Sequence, residues 1–192
     1  MNPATFLHNC ERIITGYPGL KISVPGIDLT SLRDADGTIL TGATEPDVVT
    51  HETHFVGLAS TAGQTDLGNL TFLVPRDYDQ SVDKMRIRFL ANSAGDTDTP
   101  TIDATCYRKR AGSALSADLD PTISAAVNNS TALAGWVEVK LEGESLRPGD
   151  VISLDFTASA HATDALNLYA LEVVYYSCFV YFEEDERNDW AD

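Results

Sequence analysis

Four stretches of this 192-residue chain alternate apolar and polar residues one by one, and that alternation narrows the fold more than any other feature. Met85, Ile87, Phe89 and Ala91 interleave with Lys84, Arg86, Arg88 and Leu90, and Ile102, Ala104 and Cys106 with Asp103, Thr105 and Tyr107. Val137, Val139 and Leu141 interleave with Glu138, Lys140 and Glu142, and Ile152, Leu154 and Phe156 with Ser153, Asp155 and Thr157. Successive side chains of a strand point to opposite faces, so each stretch predicts a strand with one dry and one wet face. "HFVGLAS", "NLTFLVP" and the run that starts at Leu166 add strands, and "AGDTDTP" and "LRPGD" supply turns. No second helix pattern matches the one near the N-terminus. The expected fold is all-β, an antiparallel β-sandwich or jelly roll of about seven or eight strands.

The run from Leu166 to Phe182 is the most apolar part of the chain. It does not suit a membrane helix. A mid-membrane acid such as Glu172 costs roughly 2.5–3.5 kcal/mol, against about 0.3–0.6 gained for each Leu or Val. Its Tyr, Val and Phe residues favour a pleated surface instead. As one strand it would extend about 55 Å at ~3.3 Å per residue, so a bend or break is expected, near Ser177. Leu168, Val174, Tyr176, Val180 and Phe182 fall on one parity, and Tyr169, Leu171, Val173, Tyr175, Phe179 and Tyr181 on the other. Both faces are apolar, and only one can pack on the domain's own core. The second face predicts either an oligomer interface, formed by Tyr169, Leu171, Val173, Tyr175, Phe179 and Tyr181, or coverage by the N-terminal arm of the same chain. The acids that follow, from Glu183, repel one another and are expected to stay solvated.

Residues 3–15 predict a short helix. Asn2 caps it, Pro3 takes its first position, Gly16 stops it, and Phe6, Leu7, Cys10, Ile13 and Ile14 share one face. From Tyr17 to His51 the chain is rich in Gly, Pro and Asp, which predicts an extended arm with a hairpin near "DADG". A connection of that length is unusual inside a domain, so the arm is expected to reach a neighbouring molecule. The expected layout is an arm with a short helix over residues 1–51, a sandwich over 52–183 and an acidic tail over 184–192.

The formal net charge of −16 comes from 13 Lys and Arg against 29 Asp and Glu, which excludes nucleic acid as the main partner because phosphate binding needs cations. Three scattered cysteines, Cys10, Cys106 and Cys178, do not form a disulfide framework. The first residues lack a basic segment followed by an unbroken apolar one, so folding in a cytoplasm is expected.

Candidate chemistry is sparse, and neither an enzyme activity nor a cofactor or metal is expected. "HETH" at 51–54 spaces its histidines by three rather than the four of a zinc-protease helix, and a strand follows it. "DADGTILTGATE" places acids as a calcium loop does, but Ile39 stands where that loop needs glycine. Hydrolase and phosphate-loop motifs are absent. One polar pattern is left. Lys84, Arg86 and Arg88 line one strand, and Arg108, Lys109 and Arg110 end the next. If those strands are adjacent, the basic stripe either docks an acidic partner or pairs with Glu138, Glu142 or Asp155.

The order of "NLTFLVPRDYDQSVDKMRIRFLANSAGDTDT", "GWVEVKLEGESLRPGDVISLDFTAS" and "ALNLYALEVVYY" resembles jelly-roll structural proteins of tailed bacteriophages, especially capsid decoration (cement) proteins, over roughly residues 52–176. That resemblance implies a homotrimer on the outer capsid of the virion, made in the host cytoplasm and bridging neighbouring major capsid proteins. On this reading Phe6, Leu7, Ile13, Ile14, Lys84, Arg86, Arg88 and Arg108 contact the capsid, and neither nucleic acid nor membrane is a partner. The alternative is a carbohydrate-binding or receptor-binding sandwich that uses Trp136, Tyr78 and Tyr107 as a sugar platform.

Overall fold

The computed structural model describes residues 20–178 apart from positions 43, 52, 80, 82, 124, 125 and 142–145. The expected N-terminal helix with Phe6, Leu7, Ile13 and Ile14, the residues Phe179 and Tyr181, and the acidic tail lie outside the described residues. Among the described residues ten strands follow one another: β1 (Leu20–Ser23), β2 (Asp47–His51), β3 (Phe55–Ser60), β4 (Asp66–Leu73), β5 (Arg86–Ser93), β6 (Thr101–Lys109), β7 (Thr122–Ile123), β8 (Gly135–Lys140), β9 (Val151–Ser159) and β10 (Leu166–Ser177). They form an antiparallel β-sandwich of two unequal sheets. The larger runs β2-β3-β10-β5-β8-β7 with β1 also paired to β10, and the smaller runs β4-β9-β6.

The alternating stretches form the strands they predict. Met85, Ile87, Phe89 and Ala91 from the β5 region, and Val137, Val139 and Leu141 from the β8 region, are buried from the large sheet. Ile102, Ala104 and Cys106 of β6, and Ile152, Leu154 and Phe156 of β9, meet them from the small sheet. Phe89 and Phe156 touch edge to face across the core, with ring centroids 5.0 Å apart, a geometry in which the positive edge of one ring meets the negative face of the other.

The expected boundary at residue 51 does not divide an arm from the sandwich. β1 and β2 are members of the large sheet, and Leu32 and Leu40 lie in the main core. The "DADG" hairpin does form. Asp34 N–H donates to the Thr38 carbonyl, Gly37 N–H donates to the Asp34 carbonyl, and Gly37 has φ of 86°.

β10 is the centre of the large sheet. β5 takes one flank along Leu166–Val174, while β3 and β1 share the other, pairing with Leu166–Leu168 and Val174–Ser177 respectively. The register shifts between Leu168 and Ala170, so Tyr169 is the extra residue of a bulge. An inserted residue reverses the side to which later residues point. Leu171, Val173 and Tyr175 therefore face inward with Leu166 and Leu168, and all five belong to the core cluster. This corrects their assignment to an oligomer interface. On the outer side Ala170, Glu172, Val174 and Tyr176 follow, and only Val174 of these is buried. The strand has one dry face and one mixed face, so burial of its Leu171, Val173 and Tyr175 requires no partner chain. β10 ends at Ser177, where a break is expected, and the bulge at Tyr169 is a separate irregularity inside the strand.

Candidate interaction surface

β3 pairs with β10 only over Leu58–Ser60, so the β2–β3 hairpin projects past the centre of the large sheet. Val48 lies opposite Leu58, and Val56 is two residues from it on the same face. Leu58 is in the core, but Val48 and Val56 are 63% and 71% exposed, and Phe55 at the hairpin tip is 60% exposed. Apolar side chains on the core-side face of a strand are normally covered. Here they are left open. β2 is also the last strand of its sheet, and an edge strand offers unpaired N–H and C=O groups. Apolar ledge and open edge thus coincide.

The hairpin itself is rigidly placed. His51 is buried, stacks on Tyr169 with ring centroids 4.6 Å apart, and hydrogen-bonds through Nε2 with the Leu58 carbonyl. Gly57 lies beneath it. A Cβ at that position would stand 2.4 Å from the Leu168 carbonyl oxygen and 2.7 Å from the His51 ring, so the close approach of β3 to β10 requires glycine here. His54 is exposed in the turn. Among the described residues no group of three or more His, Cys, Asp or Glu side chains is gathered to hold a metal ion.

The two basic runs lie in different sheets. On the outer face of the large sheet, Arg86 pairs with Asp83 and with Glu138 (3.1 Å), and Arg88 with Glu138 (3.0 Å) and Glu172 (2.6 Å). The Arg88 guanidinium also lies 4.3 Å over the Trp136 ring. Arg86 and Arg88 are thus matched to carboxylates of neighbouring strands, the pairing that the sequence offered as the alternative to a docking stripe. Lys84 is half-buried beside them.

Arg108 and its neighbours belong to the end of the small sheet, around Asp150. Arg110 grips this carboxylate with both Nε and Nη2 at 2.7 Å, and the Arg147 backbone N–H donates to it at 2.8 Å. The Asp150 side chain is 2% exposed. Hydrogen bonds from Arg110 hold it below the usual carboxylate range, against the opposing effect of burial. Arg108 adds a further positive charge nearby, and its own buried Nη1 has no hydrogen-bond partner.

The opposite end carries the reverse chemistry. Asp164 accepts from the N–H groups of Thr97 and Asp98, and Asp98 accepts from those of Thr163 and Asp164. These amide donors depress the Asp98 carboxyl. The acidic loop is consequently a clasp between the β5–β6 and β9–β10 connections. A depression of about 500 Å3 opens beside it, lined by residues that include Gln64, Asp98 and His161. His161 is buried and bonded through Nε2 to the Gln64 carbonyl, while its Nδ1 has no partner. Burial pushes the Cys106 thiol up to about 12, so it is an inert core residue. Among the described residues no helix is long and apolar enough to cross a membrane.

The aromatic residues considered for sugar binding do not share a platform. Trp136 lies on the outer face of the large sheet under Arg88, Tyr107 is on the small sheet, and Tyr78 is buried. Comparison with protein-family models gives no match, and comparison with curated proteins gives none either. The β2–β3 ledge was missed in the sequence. "HFVGLAS" reads as a strand, and nothing in that string tells which of its residues the rest of the fold covers.

Proposed function

We propose that this chain is a structural protein that decorates the outer capsid of a tailed bacteriophage, with its copies meeting through the β2–β3 ledge. The observation that carries this reading is the projecting hairpin, where Val48 and Val56 are exposed on one face and Phe55 at the tip on the other, beside an open strand edge. Exposed apolar groups clustered in this way are characteristic of protein contacts. In the homotrimer that the family resemblance implies, the ledge of each copy packs on a different surface of the next, a head-to-tail contact that closes after three copies. Residues 1–19 then reach the major capsid protein, and several copies per assembly add avidity. Arg86 and Arg88, already paired within the protomer, have no part in the proposed capsid contact.

A carbohydrate-binding reading is less well supported, because Trp136, Tyr107 and Tyr78 point to three separate regions. Pelleting with purified tailed-phage shells that lack the protein tests the proposal. The full chain is expected to sediment with the shells and a chain without residues 1–19 to remain in the supernatant. Retention of both variants in the supernatant, together with quenching of Trp136 fluorescence by a polysaccharide, would favour the sugar-binding alternative.

A further inference from the structure

The last described residue, Cys178, lies beside a cationic surface. Cys178 N–H donates to the Asp77 carbonyl at 2.7 Å, so β10 delivers the chain next to Arg76. Arg76 lies against the β9 turn, within 3.5 Å of where a Cβ of Gly149 would be. That turn leads to Asp150, where Arg108, Arg110 and the Arg147 backbone converge. Arg76, Lys109 and Arg147 are exposed, and none of these three makes an ion pair with a described residue. Two nearby carboxylates among the described residues are occupied. Asp150 is held by Arg110, and Asp77 accepts from the Tyr175 and Ser177 hydroxyls.

An apolar strip adjoins this rim on the outer face of the small sheet. Leu73 lies opposite Val151, and Val151 opposite Lys109, in one row across β4, β9 and β6. Leu73 is 50% exposed, and Val151 and Tyr107 are 38% exposed. The surface therefore combines cations with an apolar strip, in a chain whose net charge is −16.

We propose that residues 183–192 dock in cis on this surface, with the acids on Arg76, Lys109 and Arg147, and Trp190 over Leu73 and Val151. Six acids and one arginine in that segment complement the rim, and Trp190 supplies an apolar group for the strip. Residues 179–182 can span about 13 Å at ~3.3 Å each, which suffices to leave Asp77 and turn onto Arg76. The inference is independent of the proposed capsid function.

Two measurements on the full chain test it. A zero-length carbodiimide joins an amine to a carboxylate in contact, so peptide mapping of the monomer band is expected to show Lys109 linked to acids of residues 183–192. That link should be lost in 1 M salt, where screening shortens to about 3 Å. In a Trp136→Phe background, Trp190 is the sole tryptophan, and its emission is expected to move to longer wavelength when Arg76→Glu and Arg147→Glu are introduced together. Solvated Trp190 emission that neither salt nor these reversals alter would overturn the proposal. So would Lys109 links found only between copies, which would make a second molecule the occupant.

Discussion

The two arginine regions show how the same residue type serves different ends in one sandwich. On the large sheet, Arg86 and Arg88 alternate with Glu138 and Glu172 on the facing strands, and charge is balanced locally. At the end of the small sheet, Arg110, Arg108 and the Arg147 backbone act on Asp150, with Arg76 beside Gly149 and Lys109 opposite Val151. The first group is half-exposed and bonded across strands. The second contains one ion pair whose carboxylate, Asp150, is nearly inaccessible while its arginine is about as exposed as Arg88, with surplus positive charge at the rim. Water reaches both partners of the first set, whereas in the second it reaches the arginine and not the carboxylate, which depends on its protein donors. Stability should therefore depend on Arg110 far more than on Arg88, while the rim residues are available for binding.

Replacing Arg110 with alanine is expected to have the largest effect. It leaves the buried Asp150 carboxylate without its main donor and should cost about 1.5–3 kcal/mol in urea unfolding. The same pair fixes a pH response. Asp150 titrates lower in the folded chain than in the unfolded one, so its contribution is complete above about pH 4 and lost as pH falls through the folded value. In Arg110→Ala the acid limb of the stability profile should flatten.

Arg88→Ala comes next. It breaks contacts with Glu138, Glu172 and the Trp136 ring, but all remain in reach of water, so a double-mutant cycle with Glu138 should give about 0.2–1 kcal/mol of coupling. A coupling as large as the Arg110 effect would erase the distinction between the two regions. Smallest of all, Arg147→Glu should change stability by no more than about 0.5 kcal/mol, as for other surface positions, because its side chain makes no ion pair with a described residue.

Strands with strict alternation were legible because a period of two identifies both the element and its buried side. β5, β6, β8 and β9 follow that rule residue by residue. β10 does not, since the single bulged residue Tyr169 leaves no mark among neighbours that all suit a strand. Without it, Leu171, Val173 and Tyr175 fall on the parity opposite Leu168 and look like a second apolar face. β1 and β2 were hidden for another reason. "LKIS" and "DVVTH" are short, lie among turn residues, and β1 pairs with a strand some 150 positions later, as in Leu20 with Ser177. Neighbourhood in sequence also misled for the basic runs, since the connection from β5 to β6 crosses from one sheet to the other. The ledge depends on what the rest of the fold covers, a property that no local string contains.

The native mass of the full chain at micromolar concentration, measured by sedimentation beside a Val48→Asp, Val56→Asp double variant, tests most directly whether the β2–β3 ledge joins protein subunits. Both positions are exposed, so the variant should keep the folded spectrum of the parent. The account predicts an oligomer for the parent and a folded monomer for the variant. A parent that sediments as a monomer, or a variant that retains the parent's mass, would contradict it.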